Sequence, residues 1–249
     1  MKSGERIFFI VGAQRCGTSY LVHKLDKHPE IKMAAPMFPE PKFFLNDQEY
    51  KKGKEYYLEK FFKGRTGQEV LGEKSTSYIE SNEAALKIKA MFPAAKVIIS
   101  LRNPVERAIS NYYFSKSRGI ETRSPVEVFI EKKPLVVDKN KFSVSPLNYL
   151  GRGEYFTYIK KYFEIFGSEN VQVLLYESII KEQDSEQWKK AVDFLGIKQM
   201  AFTGEGKINA GINKEIIDPR VTNYLHNYYS THNKELENFL KIDLSIWNF

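Results

Sequence analysis

Two short segments of the chain bring glycines, hydroxyls and arginines together at spacings suited to binding anions. The first, Gly12-Ala13-Gln14-Arg15-Cys16-Gly17-Thr18-Ser19, has the G-x-x-x-x-G spacing of a phosphate loop. Glycines let successive backbone N–H groups converge on an anion, and a following helix adds the positive end of its dipole. Thr18 stands where nucleoside triphosphatases with this loop carry a lysine, so a phosphate would still bind but ATP or GTP chemistry is disfavoured. Arg15 supplies a cation within the loop and can fork onto phosphate oxygens; Thr18 and Ser19 add hydroxyl donors. Cys16 reads as a small filler residue rather than a reactive thiol.

The second segment runs from Leu101-Arg102-Asn103-Pro104 to Ser110-Asn111-Tyr112. Arg102 follows an apolar run and Ser110 falls near the second turn of the next expected helix. A cation and a hydroxyl therefore converge on a further anionic group.

These residues need strands and helices in alternation to hold them. Ile7–Val11, Val70–Glu73, Lys96–Leu101 and Val171–Tyr176 are short, largely apolar runs, as in strands buried on both faces of a parallel sheet, and Ile31–Ala34 is a fifth candidate. Helices are expected at Thr18–His28, Lys54–Phe62, Asn82–Phe92, Pro104–Ser117, Gly153–Phe166, Trp188–Leu195 and Pro219–Leu240, with Asn82 capping its helix and a break in the last near Thr231. Residues 118–150 read as irregular apart from a helix at Pro125–Lys132, and Gly204–Asn213 as a loop. The pattern predicts one α/β domain over residues 1–249, a P-loop-type doubly wound sheet of central parallel strands flanked by helices, with its ligand beyond the strands' carboxyl ends.

Whole-chain numbers narrow the partners. With 38 Lys+Arg against 31 Asp+Glu in 249 residues, the net charge of +7 favours anionic ligands. No Lys/Arg run reaches the roughly five to eight residues of a basic patch, so nucleic acid is not the expected partner. One cysteine excludes an internal disulfide framework and points to a reducing compartment. No apolar stretch approaches the roughly 18 residues of a membrane span. The expectation is a soluble, cytoplasmic protein. Among its four histidines no metal-binding spacing is visible, and no metal is expected.

Taken together, the two anion-binding segments resemble the two phosphate motifs of sulfotransferases that use 3′-phosphoadenosine 5′-phosphosulfate (PAPS), most closely the heparan-sulfate-type and bacterial ones. The likeness continues through Pro39-Glu40-Pro41-Lys42-Phe43-Phe44, Glu73-Lys74-Ser75-Thr76-Ser77-Tyr78, Tyr176-Glu177-Ser178 and Asn233-Lys234-Glu235-Leu236 with Trp247, in the family's order over nearly the whole chain. The resemblance implies that residues 14–19 hold the 5′-phosphosulfate, Arg102 and Ser110 the 3′-phosphate, and Lys207 the cosubstrate from a closing loop. It further implies Glu40 as general base and Lys74 with Arg15 as stabilisers of the leaving nucleotide. Lys42 is a candidate for the acceptor site, Tyr78 is equally a wall of that site or a core residue, and Tyr155 lies where relatives approach the nucleotide.

The expected reaction is sulfuryl transfer to a hydroxyl, or less readily an amine, of a small-molecule or saccharide acceptor. A P-loop nucleoside or sugar kinase is the competing reading, opposed by the missing lysine. A non-catalytic nucleotide-binding protein is another, opposed by Glu40 and Lys74. Neither acceptor nor oligomeric state is legible.

Overall fold

The apolar runs form one parallel sheet of β1 (Arg6–Gly12), β2 (Ile31–Met33), β3 (Val70–Lys74), β4 (Lys96–Leu101) and β5 (Val171–Leu175), in the order β2-β3-β1-β4-β5. The computed structural model describes residues 6–64, 70–135, 145–181, 186–200 and 217–247. Strand β1 lies at the centre because both of its faces are apolar. Phe8, Phe9, Ile10 and Val11 are all fully buried, as they must be when helices cover each side. Its partners are β3, with Ile10 opposite Lys74, and β4, with Gly12 opposite Ile99. The chain winds outward from β1 in both directions, which is the doubly wound arrangement expected from the sequence.

Between these strands lie helices α1 (Thr18–Asp26), α2 (Asp47–Tyr50), α3 (Gly53–Phe61) and α4 (Asn82–Met91). There follow α5 (Pro104–Ser117), α6 (Pro125–Phe129), α7 (Tyr155–Phe166), α8 (Tyr176–Lys181), α9 (Glu186–Leu195) and α10 (Pro219–Leu240). Three helices differ informatively from expectation. Helix α4 is capped by Ser81, whose Oγ accepts from Ala84 N, so Asn82 is its first residue and not its cap. Helix α10 is continuous through Thr231, because the buried stripe Val221, Leu225, Tyr229, Asn233 and Leu236 outweighs one weak helix former. Helix α6 stops at Phe129, short of Lys132, and is opened by a capping box of Ser124 and Glu127.

By its contacts the chain divides into two compact units, Met1–Leu101 with Lys160–Ile208, and Arg102–Ile159 with Asn209–Phe249. The first contains the sheet, with α1 and α9 packed through Leu21, Leu25, Val192 and Leu195 onto Phe8 and Ile98. The second has its own apolar cluster, in which Val105, Ala108 and Tyr112 meet Phe129, Leu225 and Tyr229. Its irregular segment is organised by the buried Glu121 carboxylate, which accepts from Thr122 N, from Arg123 and from the Tyr149 hydroxyl. A buried carboxylate with this many donors fixes a loop as firmly as regular structure would.

Glycine is required at one strand position. A Cβ on Gly72 in β3 would lie 2.4 Å from the Phe8 ring and 2.5 Å from Met33 Sδ, since both neighbouring strands press side chains against it. Gly72→Val is expected to destabilise the fold by about 1–3 kcal/mol through overpacking. A lowered urea midpoint with an unchanged slope would show this; an unchanged midpoint would refute it.

Candidate active site

The carboxyl ends of β1, β2, β3 and β4 gather the candidate residues of the first unit. After β1, the phosphate loop turns through Arg15 and Gly17, both with positive φ (70° and 74°). Gly17 is the N-cap of α1 and, as glycine, supplies no side-chain cap to the first-turn N–H groups. Those donors, with the half-exposed Ser19, are what an anion would meet. The loop is tied to β4 by two bonds: Ala13 N donates to Ser100 O at 2.8 Å, and Ser100 Oγ donates to Cys16 O at 2.6 Å. Cys16 is fully buried and its N–H donates to Ala13 O, so it shapes the loop from the core side. Thr18 is buried at the helix start.

The loop after β2 delivers Glu40, and the turn after β3 holds it. Glu40 accepts from Lys74 Nζ at 3.0 Å, from Thr76 N at 3.0 Å, and from Thr76 Oγ1 at 3.0 and 3.1 Å on its two oxygens. Each carboxylate oxygen thus carries two contacts, and the one Thr76 hydroxyl proton is shared between them, so an incoming hydroxyl would replace one of the two Thr76 Oγ1 contacts. The side chains of Lys74 and Glu40 are only 5% and 13% exposed, so their pairing is shielded from water on most sides. The Lys74 ammonium also lies over the Phe38 ring, whose centroid is 4.4 Å from Nζ.

Beside Lys74 on the same strand lies a buried acid. Glu73 is fully buried and accepts from the Tyr57 hydroxyl at 2.6 Å and from Ser75 Oγ at 2.7 Å. Ser75 Oγ accepts in turn from Lys42 N at 3.0 Å, fixing the backbone two residues beyond Glu40, where Lys42 has φ +49°. Burial pushes the Glu73 carboxyl up to about 7, against the hydrogen bonds from Tyr57, Ser75 and Tyr78 that lower it, with the Glu40 charge raising it further.

Of the two readings of Tyr78, a wall of the acceptor site or a core residue, the structure bears out the second: it is fully buried, and its oxygen accepts from Phe44 N at 3.3 Å. Its ring also packs edge-on against Phe44. It supports the Glu40-bearing loop from below and has no face for a ligand. Lys42 is tethered through its backbone and its side chain is half-buried.

Arg102 and Ser110 belong to the second unit. Arg102 follows β4 and donates from Nε and Nη2 to Glu106 Oε2 at 3.2 and 2.6 Å, so an anion bound there would compete with a carboxylate. Its carbonyl accepts from the Tyr155 hydroxyl at 2.8 Å, which gives Tyr155 a positioning role. Asn103 caps α5, accepting from Val105 N and Glu106 N, and Ser110 is buried on that helix. Lys207 lies outside the described residues. Among the described residues no group of His, Cys, Asp and Glu could hold a metal ion, and no helix is long and apolar enough to cross a membrane.

Sequence reasoning missed Thr76, Ser100 and Glu73 as site-building residues. Ser100 leaves a trace as the one hydroxyl in an otherwise apolar β4 run, Val97 to Leu101. The other two are visible only once β3 is placed against the loop after β2.

The elevated Glu73 carboxyl has a measurable consequence. The unfolded chain ionises this group near 4.5 and the folded chain near 7, so the fold binds the extra proton in between. Its contribution to stability is therefore lost as pH rises through that window. Relative to Glu73→Gln, the wild-type protein should lose on the order of 3 kcal/mol between about pH 4.5 and 7. Urea titrations across this range would detect it; parallel curves for the two proteins would rule it out.

The Sulfotransferase domain family model matches residues 5–243. The bifunctional heparan sulfate N-deacetylase/N-sulfotransferase 1 of Caenorhabditis briggsae is 31% identical over 180 residues, 70% of this chain and 20% of that protein. Human heparan sulfate glucosamine 3-O-sulfotransferase 6 is 38% identical over 122 residues, 47% of this chain and 34% of that protein. The chain thus spans about a fifth to a third of the length of these curated relatives. A crystal structure of a sulfotransferase from Alicyclobacillus acidocaldarius matches with a TM-score of 0.78 at 26% identity, covering 99% of this chain and all of that one. With a family model matched across nearly its whole length, on a parallel five-stranded sheet, this chain belongs to the sulfotransferase domain family.

Proposed function

We propose that the protein transfers a sulfuryl group from PAPS to a hydroxyl of a small-molecule or saccharide acceptor, with an amine as the less favoured nucleophile. The observation that carries this reading is the Glu40 carboxylate held by Lys74 and Thr76 at the same sheet edge as the phosphate loop. A protein that only bound a nucleotide would have no use for a carboxylate and an ammonium paired beside the phosphates.

In this scheme the first-turn N–H groups of α1, with Arg15 and Ser19, take the 5′-phosphosulfate. Arg102 and Ser110 are the candidates for the 3′-phosphate. Glu40 receives the acceptor's hydroxyl proton as the oxygen bonds to sulfur. The bond between sulfur and the bridging oxygen breaks, and its electron pair leaves with 3′-phosphoadenosine 5′-phosphate (PAP). Lys74 and Arg15 stabilise the negative charge that grows on that oxygen, which is where fixed cations in a shielded site lower a barrier most. Thr76 contributes by holding Glu40 while Lys74 turns one of its three donors toward the leaving group. The half-exposed Lys42 stands near enough in sequence to orient an acceptor.

Calorimetric titration should show PAP binding with at least tenfold preference over ATP with Mg²⁺. Equal binding, or a preference for ATP, would sink the proposal. Glu40→Gln should keep PAP affinity within about threefold while lowering turnover by at least 100-fold, as loss of a positioned base does. Retained turnover with labelled PAPS would remove Glu40 from that role.

A further inference from the structure

At the amino-terminal edge of the sheet, opposite the phosphate loop, lies a cavity that the proposed chemistry does not use. Its volume is about 230 Å³, and Ile7 of β1, Val70 of β3, Ala94 and Leu195 of α9 give it apolar walls. Arg6 of β1 and Lys96 of β4 add two cations to the lining. Parallel strands bring these residues together, because Arg6 pairs with Val70 and Phe8 with Lys96 at the start of each ladder. Arg6 and Gly12 are the two ends of β1, a strand of seven residues, so the cavity lies about 20 Å from the phosphate loop.

Both cations are held by the carboxyl end of α9. Arg6 Nη2 donates to Leu195 O at 2.8 Å and to Gly196 O at 2.7 Å, and Lys96 Nζ donates to Phe194 O. The carbonyls of a helix end carry roughly half a negative charge, which offsets only part of two positive ones. Burial, and then the neighbouring Arg6 charge, push the Lys96 ammonium below the usual lysine range. Among the described residues no carboxylate pairs with Lys96. Capping a helix needs no cavity beside the capping groups. An apolar cavity next to two fixed cations suits a molecule with an apolar body and an anionic end. A cavity of about 150 Å³ takes benzene, so this one has room for a fused pair of rings. The planar fork of a guanidinium matches a carboxylate.

We propose that this cavity binds a small aromatic carboxylate, its rings against Ile7, Val70 and Leu195 and its carboxylate between Arg6 and Lys96. The bound anion offsets the repulsion between the two cations, and the rings cover apolar surface that water otherwise meets. At that distance from the catalytic edge the ligand is no substrate, and the inference stands apart from the sulfuryl-transfer reading.

The test follows the backbone amide and methyl resonances of the full chain as indole-3-acetate, neutral indole-3-acetamide or inorganic phosphate is added. Indole-3-acetate should bind with a Kd between about 10 μM and 1 mM, at least tenfold tighter than the amide or phosphate. Its shifts should centre on Ile7, Val70 and Ala94 and spare Ala13 to Thr18. Lys96→Met should weaken indole-3-acetate at least tenfold and leave the amide within about threefold. A Kd above about 10 mM, equal binding of the amide or of phosphate, or shifts centred on residues 13–18 overturns the inference. So does a folded Lys96→Met protein that keeps full affinity, and the wild-type shift map decides the matter even where that variant does not fold.

Discussion

The parallel register between β1 and β3 is the constraint on which the catalytic edge depends. Ile10 faces Lys74 across the ladder, and Ser75 N donates to Ile10 O at 3.1 Å. This sets the lysine two residues ahead of Gly12, where the phosphate loop begins. A slip of one residue would turn Lys74 into the core and Glu73 toward the ligand, because side chains alternate with a period of two. Glu73 and Lys74 thus point to opposite faces of the strand, Glu73 toward Tyr57 and Lys74 toward Glu40.

That alternation has an energetic cost beneath the site. Glu73 is a fully buried carboxyl held by hydroxyl donors, an arrangement less stabilising than an apolar residue of the same shape. What it gains is connectivity. Through Ser75 it reaches the backbone at Lys42, and Tyr78 reaches Phe44, so both anchors of the loop beyond Glu40 are hydrogen bonds from one buried layer. Aromatic rings of Phe43, Phe44 and Tyr57 fill the space around these bonds. Precision at Glu40 is supplied from below, while the outer side of the loop is left to Met37 and Phe38.

The cations are paired before any ligand arrives. Lys74 is bound to Glu40, and Arg102 to Glu106. Such pairs keep long side chains in place but must be partly exchanged when an anion binds, so they trade affinity for position. The buried Lys74–Glu40 pair and the more exposed Arg102–Glu106 pair lie in different units of the chain. Shielding makes the first the stronger fixture and screening by solvent makes the second the weaker.

The sequence by itself determined the sheet, the phosphate loop and the positions of Glu40, Lys74 and Arg102. Each of these is written in a local pattern: continuous apolar runs, glycine spacing, a proline-bounded acid, a cation just after a strand. The tertiary structure decided which neighbours those residues have. Thr76 reaches Glu40 across 36 positions of sequence, and Ser100 reaches Cys16 across 84. Tyr78, polar enough to line a site, is instead buried under it, because its ring completes an aromatic layer whose members come from three separate segments. Spacing along the chain specifies which way a residue points on its own element. Only the packing of elements from distant parts of the sequence specifies what it meets there.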